Sequence, residues 1–75
     1  MKQIKIEQLL PLLKSGYVAM DSYGYWNWFY YSPEAKNGFW GNVLNRVEIH
    51  KCFNIAPFDG DWKDSLIKVE HKEEE

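Results

Sequence analysis

His50 and Cys52 stand two residues apart, so on a strand they share a face. A Cys–His pair makes a nucleophile only where a base orients the thiolate in a cleft. No oxyanion loop and no third partner accompany this pair. The ordinary account is an edge-strand histidine beside a buried thiol that packs as a small hydrophobe. His50, Cys52 and His71 with Asp59 or Asp61 make a donor set on paper, but their spacing matches no zinc pattern and one thiolate is thin for a structural site. Asp59, Asp61 and Asp64 echo the acidic spacing of a calcium loop. That loop ends on a glutamate, whereas Leu66 and Ile67 follow here. Turn chemistry explains these aspartates better, with one of them capping the turn that carries Trp62. The chain therefore reads as non-enzymatic, with no catalytic residue, no metal ligand and no cofactor.

The unusual chemistry is aromatic. Seven of the nine residues from Tyr23 to Tyr31 carry rings. A strand sends successive side chains to opposite faces, so a run this dense places rings on both. Such rings stack on bases in single-stranded nucleic acid, on sugars, or against another protein. Nucleic acid needs a basic groove that is missing here. A sugar would look to Asn27 and Asp21 for polar partners. Protein binding suits the residue types best, since Tyr and Trp bury large areas with few rotors to freeze.

The elements that position these rings follow from local signals. Ile4, Ile6, Leu9, Leu10, Leu12 and Leu13 suggest an amphipathic helix over roughly residues 6–14. Pro11 fits only a first turn, so the helix starts late or kinks. Gly16 can end it. A strand follows over 17–21, then an Asp21-Ser22-Tyr23-Gly24 turn with Gly24 left-handed, then a returning strand over 25–31 that stops at Pro33. This register sets Met20 opposite Trp26 and Val18 opposite Trp28. These four, with Tyr30, form the expected core face. Tyr17, Ala19, Asn27, Phe29 and Tyr31 form the other. Residues 35–41 read as a loop. Residues 46–56 read as one bent strand or two short ones, with Val47, Ile49, Phe53 and Ile55 inward. Trp62 plugs the core from a short helical turn, and 65–69 is a last strand with Ile67 and Val69 inward. The outcome is an α+β fold: one N-terminal helix packed on a three- to four-stranded antiparallel sheet.

Composition sets the remaining limits. At 75 residues the chain is one small domain, expected over 1–69, with a charged, disordered tail over 70–75. One cysteine cannot staple it and fits a reducing compartment. With no signal-peptide pattern and no apolar run near the ~20 residues of a membrane span, the expected place is the cytoplasm, away from membranes. The net charge is −2 and Arg46 is the sole arginine, which argues against nucleic acid as a partner. Aromatics at 17% replace disulfides as the source of stability.

The opening Ile6-Glu7-Gln8-Leu9-Leu10-Pro11-Leu12-Leu13-Lys14-Ser15-Gly16 and the closing Asp61-Trp62-Lys63-Asp64-Ser65-Leu66-Ile67-Lys68-Val69 resemble small proteins encoded by phages and prophages. The resemblance covers both ends, leaves the aromatic middle unmatched, and carries over no functional residue. It implies a bacterial cytoplasm and a class of job: binding and blocking a host protein, including immune components such as CRISPR effectors, or binding a nucleotide between subunits. The resulting expectation is a phage-type inhibitor acting through an aromatic hairpin surface of Tyr17, Tyr23, Tyr25, Asn27, Phe29 and Tyr31. The alternatives are a nucleotide- or sugar-binding module, for which Arg46, His50 and Asn27 are the obvious polar groups, and a homo-oligomeric structural protein such as a homodimer. The second face is either this surface or a layer lying under Phe39, Trp40 or the tail.

Overall fold

The computed structural model describes residues 2–41 and 46–71. Its fold is α+β. One short N-terminal helix, α1 (Ile6–Leu9), accompanies a four-stranded antiparallel sheet and a small separate hairpin. The sheet holds β1 (Gly16–Met20), β2 (Trp26–Phe29), β5 (Arg46–Val47) and β6 (Ile67–Val69), in the order β5-β2-β1-β6. The hairpin pairs β3 (Ala35–Lys36) with β4 (Phe39–Trp40). The expected tail falls partly on residues 72–75, which lie outside the described residues.

Pro11 shortens the expected helix to one α-turn. The chain tightens into a 3-10 turn over Leu10–Leu12, where the missing proline N–H costs nothing at the turn's start. The Gln8 side-chain oxygen accepts the Lys5 N–H at 2.9 Å and satisfies one donor at the helix entry. Ile6 and Leu9 are buried, whereas Leu12 is 78% exposed.

The central hairpin keeps the expected register, with Met20 opposite Trp26, Val18 opposite Trp28 and Tyr17 opposite Phe29. Asp21 closes it. Its N–H donates to the Tyr25 carbonyl and its Oδ1 accepts the N–H groups of Tyr23 (2.9 Å) and Tyr25 (3.0 Å). Gly24 takes φ 90°, which an L side chain rarely adopts. Val18, Met20 and Trp26 pack with Ile6, Leu9, Ile49, Ile55 and Val69 in the main core. A parallel bridge between Ile4 and Ile55 ties the N-terminus to the segment that closes this core.

The second face is covered too. Ala19 and Phe29 pack under Trp40, with Tyr17, Trp62 and Leu66 around them. Phe29 is only 1% exposed. Trp40 and Trp62 meet edge to face with centroids 5.9 Å apart. Of the two readings left open for this face, the layer under Trp40 is the one observed. The cover comes from residues 35–41, which form a hairpin where a loop was expected. Asn37 (φ 27°) and Gly38 (φ 91°) make its turn, an Asn-Gly pair of the kind that tight hairpins prefer.

Other expectations change because the strands are shorter than expected. The strand expected over 46–56 ends at Val47 and gives way to a 3-10 turn over Ile49–Lys51. Ile49 and Ile55 are buried as expected, but Val47 and Phe53 are exposed, and so is the Cys52 thiol. β2 ends at Phe29, so Tyr30 leaves the core face and is 59% exposed. Trp62 does sit on a short turn, a 3-10 segment capped by Asp61, whose Oδ1 accepts the Lys63 N–H at 3.1 Å.

Short outer strands leave ladder groups to be satisfied by side chains. β6 pairs with β1 only as far as Val18, so Met20 has no strand on its β6 side. The Met20 N–H donates instead to Ser65 Oγ (2.8 Å), and its carbonyl accepts the Trp40 indole N–H (2.9 Å). The Ser65 hydroxyl in turn donates to the Trp62 carbonyl (2.7 Å). Ser65 is fully buried. On the other edge, β5 reaches only Trp28, and the Trp26 carbonyl accepts from His50 Nδ1 (2.9 Å).

Two stability changes follow. Ser65→Ala orphans the Met20 N–H in a dry site and lowers unfolding free energy by about 1–3 kcal/mol in urea titrations; an unchanged midpoint would mean that another group satisfies it. Gly16→Ala places a methyl carbon 2.6 Å from the Phe29 carbonyl oxygen and from the Trp28 ring. Overpacking of this kind costs about 1–3 kcal/mol, and a variant as stable as the parent would show that the rung relaxes freely.

Candidate functional site

The exposed rings between Tyr23 and Tyr31 sort into two groups by their place along β2. At its C-terminal end Trp28, Tyr30 and Tyr31 form a connected ring surface. Trp28 and Tyr30 are stacked with centroids 6.0 Å apart, and Tyr30 and Tyr31 are tilted at 4.9 Å. Trp28 is half-buried and fixed, because its indole N–H donates to the Lys14 carbonyl at 2.9 Å. Beside it Leu12, Leu13, Val47 and Ile49 line an open groove of about 580 Å³ with Trp28 and Tyr30. Leu12, Val47, Tyr30 and Tyr31 are all exposed. Contiguous apolar and aromatic exposure of this kind is unusual on a monomer.

At the hairpin turn Tyr23, Tyr25 and His50 form a second ring series. Tyr23 and Tyr25 lie 6.4 Å apart, and Tyr25 stacks on His50 at 4.6 Å with planes 17° apart. Next to them opens a cleft of about 360 Å³. Asp21 and Asn27, its two buried lining residues, make the floor. Asn27 is 5% exposed, and its Oδ1 has no hydrogen-bond partner. Arg46, Glu48 and Lys51 stand at the rim. Glu48 accepts from Lys51 (3.0 Å) and Arg46 (3.4 Å). The Lys51 hydrogen bond, helped by the charges of Lys51, Arg46 and His50, holds the Glu48 carboxyl below the usual carboxylate range against a smaller opposing effect of desolvation.

The residues expected to bind a partner are thus dispersed. Tyr31 belongs to the ring surface, and Tyr23 and Tyr25 to the turn. Tyr17 is half-buried beside Phe29, and Phe29 and Asn27 are interior, so neither of these two offers surface to a macromolecule. Sequence reasoning placed Trp28 and Tyr30 on the core face, Val47 inward and Leu12 in an amphipathic helix; Trp28 is half-buried against the main core, and the other three are exposed. The early stop of β2 exposes Tyr30, the break at Pro11 exposes Leu12, and Val47 is exposed at the end of the two-residue edge strand β5. The Pro11 signal was visible in the sequence; the strand's end was not.

The paper donor set does not come together. His50 is engaged with the Trp26 carbonyl, His71 contacts the Leu13 carbonyl, and the described residues contain no group of three or more metal-ligating side chains. No described helix is long and apolar enough to cross a membrane. No protein-family model, curated protein or solved structure matches this chain.

Proposed function

We propose that this protein is a non-enzymatic binding protein that docks another protein through the Trp28–Tyr30–Tyr31 ring surface and the groove beside it. The observation that carries this reading is the joint exposure of Tyr30, Tyr31, Leu12 and Val47 around an indole fixed by its own hydrogen bond. An anchored Trp needs little ordering on binding, and Tyr side chains freeze few rotors, so this surface loses little entropy when it is covered. The groove beside it accepts an apolar side chain. The fitting partner presents one or two large apolar residues within a neutral or basic rim, given the protein's charge of −2. The resemblance to small phage proteins directs the choice to a host protein, and blocking a component of host defence is the proposed consequence.

The reading is tested by capture from a bacterial lysate with the parent chain, a Tyr30→Ala/Tyr31→Ala variant and a Tyr23→Ala variant, followed by affinity measurement on the identified prey. Hot-spot truncation costs about 2 kcal/mol or more, so the double variant should bind about 30-fold or more weakly while Tyr23→Ala binds as the parent does. Equal binding by the double variant would overturn the assignment of the surface. Light scattering across a dilution series separates the competing use of the same rings. A stable dimer lost in the double variant would assign them to self-association instead.

A further inference from the structure

The turn between β3 and β4 carries chemistry that the ring surface does not use. Of the chain's asparagines only Asn37 precedes a glycine; Trp28, Val43, Arg46 and Ile55 follow the others. The distinction matters for one reaction, attack on the side-chain amide by the backbone nitrogen of the next residue. A side chain on that next residue crowds the nitrogen, and glycine has none. Asn37 is exposed and sits at φ 27°, on the left-handed side that L residues rarely adopt. Among the described residues nothing bonds its side chain or the Gly38 N–H. The Gly38 carbonyl, by contrast, is anchored: it accepts the Ser22 N–H (3.0 Å) and the Ser22 hydroxyl (2.7 Å). The hairpin has only two rungs, Ala35 with Trp40 and Lys36 with Phe39, and the one next to the turn is exposed. Local opening of so short a ladder costs little.

We propose that Asn37 is a site of spontaneous modification to isoaspartate, and that the change loosens the Trp40 cover of the second core layer. The Gly38 nitrogen gives up its proton and bonds to Asn37 Cγ. The Cγ–Nδ2 bond breaks and that nitrogen leaves as ammonia, closing a succinimide ring. Water then opens the ring at either carbonyl, and nothing is oxidised or reduced. Opening at the side-chain carbonyl gives aspartate. Opening at the main-chain carbonyl gives isoaspartate, whose backbone runs through Cβ and Cγ and is one carbon longer. Loop length fixes register in a hairpin, so the extra atom disturbs both rungs. Trp40 stands on one of them. It covers Ala19 and Phe29 and donates its indole N–H to the Met20 carbonyl, so the disturbance reaches the sheet. Asp59-Gly60 offers the same open nitrogen, but a carboxylate is a far poorer electrophile than an amide.

The test is incubation of the full folded chain at mildly alkaline pH, which favours the amide anion, with peptide mapping that separates aspartate from isoaspartate. Both products should accumulate at Asn37 while the other asparagines stay intact. Asn37→Gly leaves a Gly-Gly turn that hairpins accept, and should abolish the change. The isoaspartate form, purified by chromatography, should unfold at a lower urea concentration than the parent and show a shifted Trp40 indole resonance in NMR. Asn37→Asp carries the same added charge on a backbone of normal length and should keep the parent's midpoint. Three results would each overturn the inference: an intact Asn37 in the folded chain after a urea-unfolded sample has fully reacted, conversion spread evenly over the asparagines, or an isoaspartate form as stable as Asn37→Asp.

Discussion

Met20 and Trp26 form the last paired rung of the central hairpin, and their outward backbone groups lie beyond the ends of both flanking strands. Asp21 and Tyr25 close the hairpin one step further on, so the Met20 and Trp26 groups turn away from each other toward empty sheet edges. Each is met by a side chain from a short 3-10 region: Ser65 on one side, His50 on the other, with the Trp40 indole completing Met20. A buried backbone group left unpaired would cost a sizeable part of the few kcal/mol that hold so small a domain together. These bonds bring three distant segments onto one rung, and much of the molecule is arranged around it.

The same rung joins the two layers of the core. Met20 and Trp26 belong to the main core, and the Trp40 that serves Met20 caps the opposite face above Phe29. A two-sided sheet is how this chain buries enough aromatic area without disulfides. Trp26 and Phe29 are enclosed almost completely, each contributing roughly 2–3 kcal/mol of transfer free energy. Both faces of the hairpin are used, and its exposed rings lie past the ends of β2: Tyr30 and Tyr31 at one end, Tyr23 and Tyr25 at the other.

Much of the scaffold was legible. Alternation from Tyr17 to Phe29 with an Asp-x-x-Gly turn sets the register without ambiguity, since a slip by one residue would exchange the faces. The Asp61 cap and the Trp62 turn were readable for the same kind of local reason. The candidate site was less legible. Tyr30 follows the parity of Trp26 and Trp28 in the sequence, but parity holds only while the strand lasts, and β2 ends at Phe29. The Asn37-Gly38 hairpin that covers the second face carried a usable local signal, yet nothing local says that it folds over Phe29.

The sequence by itself determined the central hairpin, its register, the break at Pro11 and the dependence on aromatic burial, because each follows from neighbouring residues and backbone sterics. Only the tertiary structure decided which face is covered, where the outer strands stop, and which rings face solvent. Those outcomes depend on contacts between residues far apart in the chain, such as Trp40 and Ser65 with Met20, and Tyr25 with His50. Local preference does not encode which distant side chain reaches an unsatisfied rung first.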